Sequence, residues 1–150
     1  MLSLAHTLIS LPFAIIFQNP ILIFTGAALS HLLADTLLHW NIYPYNFKRY
    51  PFELVTLDIL GGLALAYLVL GTDLLAAPFI IAIAGGNAPD VAHGLWELLS
   101  LKTRRQAPRV IQTLFRTHDN LQLETKKPLP GLVSQIIAVI TAISLTLILK

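Results

Sequence analysis

From Phe52 to Leu70 the chain reads FELVTLDILGGLALAYLVL, and from Gly131 to Leu149 it reads GLVSQIIAVITAISLTLIL. Each run approaches the roughly 20 predominantly apolar residues that cross a bilayer. A chain of 150 residues has too little polar surface to bury several such runs in one soluble core. Only 12% of its residues are charged and 55% are hydrophobic, where an ordinary soluble domain carries about 25% charged residues. Lipid is the expected solvent. The expected fold is all-α, a polytopic membrane helix bundle forming one domain over residues 1–150.

Five apolar segments divide the chain. The first, Leu2 to Phe17, is short and carries Pro12. It lacks a basic n-region and a clear cleavage site, so it reads as a retained helix. Gln18-Asn19-Pro20 is a turn, and the second segment runs from Pro20 to Trp40. Asn41 to Pro51 is a Tyr- and Pro-rich interfacial loop. The third segment spans Phe52 to Leu70. The fourth spans Leu74 to Leu101 and is broken at Gly85-Gly86-Asn87-Ala88-Pro89. A polar, basic stretch from Lys102 to Pro130 precedes the fifth, Gly131 to Leu149. Within that stretch Val110, Ile111, Leu114 and Phe115 recur at helical spacing. They predict an amphipathic helix over Ala107 to His118, lying on the membrane surface or against the bundle.

Charge sets the expected topology. With five spans, every Lys and Arg except Lys150 falls on one side. The positive-inside rule makes that side, and the N-terminus, cytoplasmic. The pI near 9.1 then reflects topology, and no nucleic-acid recognition motif accompanies it. With no cysteine there is no disulfide, thiolate metal site or thiol nucleophile.

Inside the second segment, SHLLADTLLHW places His31, Asp35 and His39 four residues apart. Positions four apart on a helix differ by about 40° and form one stripe. Ionisable groups at membrane depth cost a few kcal/mol each and rarely face lipid. The expected topology brings His6, His31, Asp35, His39, Asp58, Asp90 and His93 to one depth in the cytoplasmic half. Imidazole and carboxylate together suit a divalent metal: zinc, or manganese or magnesium as carboxylates and waters increase. There are enough ligands for two ions. Milder readings remain open. His6 and His39 also suit an interface, and Asp58 an interhelical hydrogen bond. In the fourth segment, GGNAPDVAH predicts either a new half-helix starting near Asn87, its positive end aimed at an anion such as phosphate, or a simple proline kink that serves packing. His118, in FRTHDN, is placed either in a solvated loop or folded back as a lid ligand or proton shuttle.

The stretches SHLLAD (Ser30 to Asp35) and PDVAH (Pro89 to His93), with the early His6, resemble motifs of the bacterial inner-membrane metal-dependent hydrolases. The order of the two motifs is reversed here. Ala92 stands where that family has a second acid, and only Arg116-Thr117-His118 resembles its third motif. The resemblance implies a divalent metal and hydrolysis.

The expected function is a membrane-embedded metal-dependent hydrolase acting on a phosphoester or lipid headgroup at the cytoplasmic leaflet. Asp58 or Asp90 would be the base, and Arg104, Arg105, Arg109 and Arg116 would hold phosphate. Two alternatives stand beside it. One is a cation or proton carrier, because broken helices and buried carboxylates are typical of such proteins. The other is a haem-binding or structural membrane protein.

Overall fold

The computed structural model describes residues 1–42 and 51–150, and the fold among them is all-α. The helices are α1 (Ser3–Ile16), α2 (Pro20–Asp35), α3 (Pro51–Leu70), α4 (Ala77–Leu98), α5 (Leu101–Gln106), α6 (Arg109–Leu121) and α7 (Pro128–Leu149). The expected interfacial loop with Lys48 and Arg49 falls largely on residues 43–50, outside the described residues.

Local sequence explains the boundaries. Asn19 caps α2 by accepting the Ile21 N–H at 2.8 Å, and Pro20 occupies the first turn, where its missing donor costs nothing. Between α3 and α4 the chain makes a 3-10 turn entered at Gly71, whose φ of 61° is open to glycine and strained for other residues. Ser100 caps α5 through the Thr103 N–H.

The central helix is α1, which packs on α2, α3, α4 and α7. Its Leu8 and Leu11 form a core with Ala66 and Leu70 of α3. Helix directions follow from the contacts. The start of α1 touches Asp58 early in α3, Asn87 in the second half of α4 and Gln135 early in α7. Asp35, at the end of α2, reaches the Met1 nitrogen. At the other end Lys150 Nζ lies 2.7 Å from Asp73 Oδ2. The apolar helices α1, α2, α3, α4 and α7 therefore alternate in direction, as the sequence predicts.

Five full membrane spans are not what this architecture supplies. Among the described residues, two segments are long and apolar enough to cross a membrane, Glu53–Leu75 and Pro128–Leu149. At 14 and 16 residues, α1 and α2 reach only about 21 and 24 Å, short of a hydrocarbon core of about 30 Å. The length of α4 suffices, but Asn87, Asp90, His93 and Glu97 stud its second half.

The fourth helix is also not broken. It runs unbroken through GGNAPDVAH with Pro89 inside it. A Cβ on Gly85 would lie 2.5 Å from the Phe24 carbonyl oxygen, and one on Gly86 would lie 2.7 Å from Ser10 Cβ. The two glycines let α4 press against α2 and α1. Asn87 does not cap a half-helix. Its Nδ2 donates to the Ile83 carbonyl at 2.9 Å and to Thr7 Oγ1 at 3.1 Å, and its Oδ1 accepts from Ser3 Oγ at 2.6 Å. It joins α4 to α1, and no half-helix end is left to attract an anion.

Candidate metal centre

His31 rises from α2 at the level of Gly86. Its Nδ1–H donates to the Gly86 carbonyl oxygen at 2.7 Å, which orients the ring and turns Nε2 toward the carboxylates of Asp35 and Asp90. Four residues on, in the last turn of α2, Asp35 brings Oδ2 to 3.2 Å from that Nε2. Asp90 of α4 sets Oδ1 at 3.4 Å from it. His118 of α6 sets Nε2 at 3.4 Å from it, and 3.6 Å from both carboxylate oxygens.

Five of the six separations among these four atoms measure 3.2, 3.4, 3.4, 3.6 and 3.6 Å, lengths that suit the edges of a tetrahedron. Ligands held tetrahedrally at the 2.0–2.1 Å typical of zinc stand about 3.3 Å apart. Octahedral ligands at magnesium distances would sit about 2.9 Å apart. His31, Asp35, Asp90 and His118 thus have the donor types and spacing to hold one divalent cation.

The surroundings agree with that fit. Buried polar groups are normally hydrogen-bonded. Here His6 Nε2, Asp35 Oδ2 and His39 Nε2 are buried without a hydrogen-bond partner. His6 stacks on His31, with ring centroids 3.6 Å apart, and its Nε2 lies 3.3 Å from Asp35 Oδ1. The Met1 nitrogen lies 2.8 Å from the same oxygen, inside the protein. Burial lowers the pKa of His118, which keeps its imidazole in the neutral form that binds metal.

His39 reaches the cluster differently from the expected helical stripe, because α2 ends at Asp35. Thr36 and Leu37 make a turn, and His39 then pairs with the segment before α7: its N–H donates to the Leu123 carbonyl at 3.0 Å, and the Thr125 N–H to the His39 carbonyl at 2.8 Å. His39 Nδ1–H donates to the Leu37 carbonyl, and its Nε2 lies 3.9 Å from both Asp35 Oδ1 and Glu124 Oε1. His93 stands at the rim, its Nε2 3.4 Å from Asp119 Oδ1, and with His118 these two form a second, more exposed group of donors. The sequence reading missed Glu124 and Asp119. Neither lies on an apolar helix: the last turn of α6 carries Asp119 to the site, and the chain just after α6 carries Glu124.

Asp58 is not among the converging donors. Its Oδ2 accepts the Ser3 N–H at 2.7 Å and its Oδ1 the Leu4 N–H at 3.3 Å. Leu2 offers no side-chain cap, so Asp58 caps α1 from the neighbouring helix. We expect Asp58→Ala to cost about 1 kcal/mol in denaturant unfolding, as losing a capping oxygen does. Its metal content by plasma mass spectrometry should stay at wild-type level.

The expected arginine clamp is not assembled. Arg104 forms an ion pair with Glu97, and Arg105, Arg109 and Arg116 are exposed. None of the four borders the polar cleft of about 380 Å³ that opens beside the cluster between Asp90, His93, Asp119 and Glu124. Comparisons with protein-family models, with curated proteins and with solved structures found no match to this chain.

Proposed function

We propose that this protein is a membrane-embedded metal-dependent hydrolase of the cytoplasmic leaflet, acting on a phosphoester or related headgroup bond of a lipid. The tetrahedral spacing of His31, Asp35, Asp90 and His118 carries the reading. That spacing favours zinc over magnesium. The resemblance of SHLLAD and PDVAH to the inner-membrane hydrolases points the same way.

The membrane setting rests on Glu53–Leu75 and Pro128–Leu149, each only 17% buried across its most apolar window. A core helix of a soluble protein would be largely covered. Leu68 and Ile148 are 78% and 80% exposed, surface that lipid would cover. The basic stretch over α5 and α6 lies at the same end of the bundle as the cluster, since α6 carries His118, and by the positive-inside rule this supports a site on the cytoplasmic side. Because α4 is continuous, the broken helix that favoured a carrier is gone, and buried carboxylate remains its one support.

A divalent cation at this site supplies positive charge that lowers the pKa of a neighbouring water and screens the phosphoester oxygens. His31, Asp35 and His118 are held inside the bundle and fix the site. The Asp90 side chain is 34% exposed and lines the cleft, so it is the group that meets incoming water. Hydrolysis needs one position open to water, and Asp90, the exposed member of the four, would yield it and accept the proton as the water oxygen bonds to phosphorus. His93 sits in the same cleft, oriented by Asp119, and returns a proton to the departing ester oxygen.

The purified protein should carry about one zinc per chain and release headgroups from phospholipid vesicles, followed by phosphorus NMR. Chelation should stop the release. Asp90→Asn should slow turnover by about 10²–10⁴-fold, the usual worth of a positioned base. Protein purified without zinc, or an Asp90→Asn variant with undiminished turnover, overturns the proposal.

A further inference from the structure

A second and larger opening reaches the same cluster from another side. It is a groove of about 910 Å³ between α2, α4 and α6. Phe24, Ala28 and Leu32 form one wall, Pro89 and Ala92 the floor, and Val110, Leu114 and Leu121 the other wall. Its one ionisable lining residue is His118. The face of α6 that repeats at 110, 114, 118 and 121 therefore looks across a gap at two apolar helices. Val110 and Leu114 remain 70% and 60% exposed.

We propose that this groove seats one acyl chain of a membrane lipid, whose polar end lies at the His118 and Asp90 cluster. The inference rests on the hydrolase reading for the identity of the reacting end and extends it by naming a chain-bearing substrate. Three observations support an acyl chain as the occupant. The volume lies within the range of small-molecule pockets, about 300–1,000 Å³. The lining is apolar except for three threonines, Thr25, Thr113 and Thr117, and His118. The groove and the polar cleft meet the cluster on adjoining sides, since Pro89 lines one and Asp90 the other. A molecule with an apolar tail and a polar head matches that pairing. An extended peptide would bring unpaired backbone polar groups that this lining cannot satisfy.

A second apolar groove of about 600 Å³, between α1, α2 and α7, provides an internal control. No residue of the metal cluster lines it. It is a place for lipid that merely surrounds the protein.

The test uses the full chain in phosphatidylcholine nanodiscs with a trace of phosphatidylcholine bearing a mid-chain diazirine. After photolysis, adducts are mapped by peptide mass spectrometry. Adducts should concentrate on the α6 peptide carrying Leu114 and Leu121, above the level on the α7 peptide carrying Ile137 and Leu145. An indole in the groove, through Ala28→Trp, should lower α6 labelling about tenfold, the loss that displacing about two buried methylenes gives. Labelling on α7 should not change. Leu114→Trp starts from an exposed position and should show the same loss where Ala28→Trp fails to fold. Equal labelling of α6 and α7, or α6 labelling that survives both substitutions, overturns the proposal. Repeating the experiment after chelation separates the two claims. Groove labelling that persists in metal-free protein upholds the acyl chain even if hydrolysis is never found. Zinc-dependent turnover without selective labelling upholds the hydrolase alone.

Discussion

Replacing His31 is expected to abolish metal binding. Its Nε2 lies on three of the five measured edges of the ligand tetrahedron, while its Nδ1 is spent on the Gly86 carbonyl. His31→Asn separates the two roles, because its short amide retains a donor for Gly86 and offers nothing to the cation. This variant should fold and should lose more than about 100-fold in zinc affinity, beyond what removing an outer-shell partner costs. His31→Ala should lose the metal and also leave the Gly86 oxygen without its side-chain donor, at a further cost of about 1–3 kcal/mol. Zinc titration with a competing chelator, beside thermal unfolding in detergent, distinguishes them. A His31→Asn protein that binds zinc as wild type does would remove His31 from the ligand set.

The second large effect is expected at Gly86. A side chain there meets Ser10 Cβ at 2.7 Å and the His6 carbonyl oxygen at 3.0 Å, both on α1. One of these is backbone and cannot turn aside. Gly86→Leu must push α4 from α1, at about 3 kcal/mol or more. The same displacement would pull the Gly86 carbonyl from His31 and Asp90 from the cluster, so zinc binding should weaken with stability. Gly94, on the same helix, faces open space. Gly94→Ala should therefore be stabilising by about 0.5–1 kcal/mol, the ordinary helix preference. Thermal unfolding of the pair checks both signs. A tolerated Gly86→Leu would contradict the close contact of α4 and α1.

The sequence made several members of the site legible and hid others for physical reasons. His31 and Asp35 stood out because two ionisable groups on one face of an apolar helix must be buried together. Alternating helix direction was enough to bring His6 and Asp90 to their level. The helical repeat cannot show where a helix stops, so His39 was placed on a stripe that ends at Asp35. Asp58 was drawn into the ligand set by its depth. Its partners are backbone N–H groups of another helix, which no side-chain pattern reveals. GGNAPDVAH reads as a break by local propensity. The packing of α4 on α1 and α2 keeps it helical, and its glycines serve that contact. His118 could be read either way, because the direction of α6 depends on how the chain returns from α4.

The burial of the cluster is uneven: Asp35, His6 and His31 side chains are sealed, His118 is 5% exposed, and Asp90 alone opens broadly to the outside. The polar cleft at Asp90 therefore serves two kinds of traffic, since the apolar groove meets the cluster only at His118. An ion entering or leaving and a reactant docking must pass the same carboxylate, so neither can exchange freely while the other stands in the threshold.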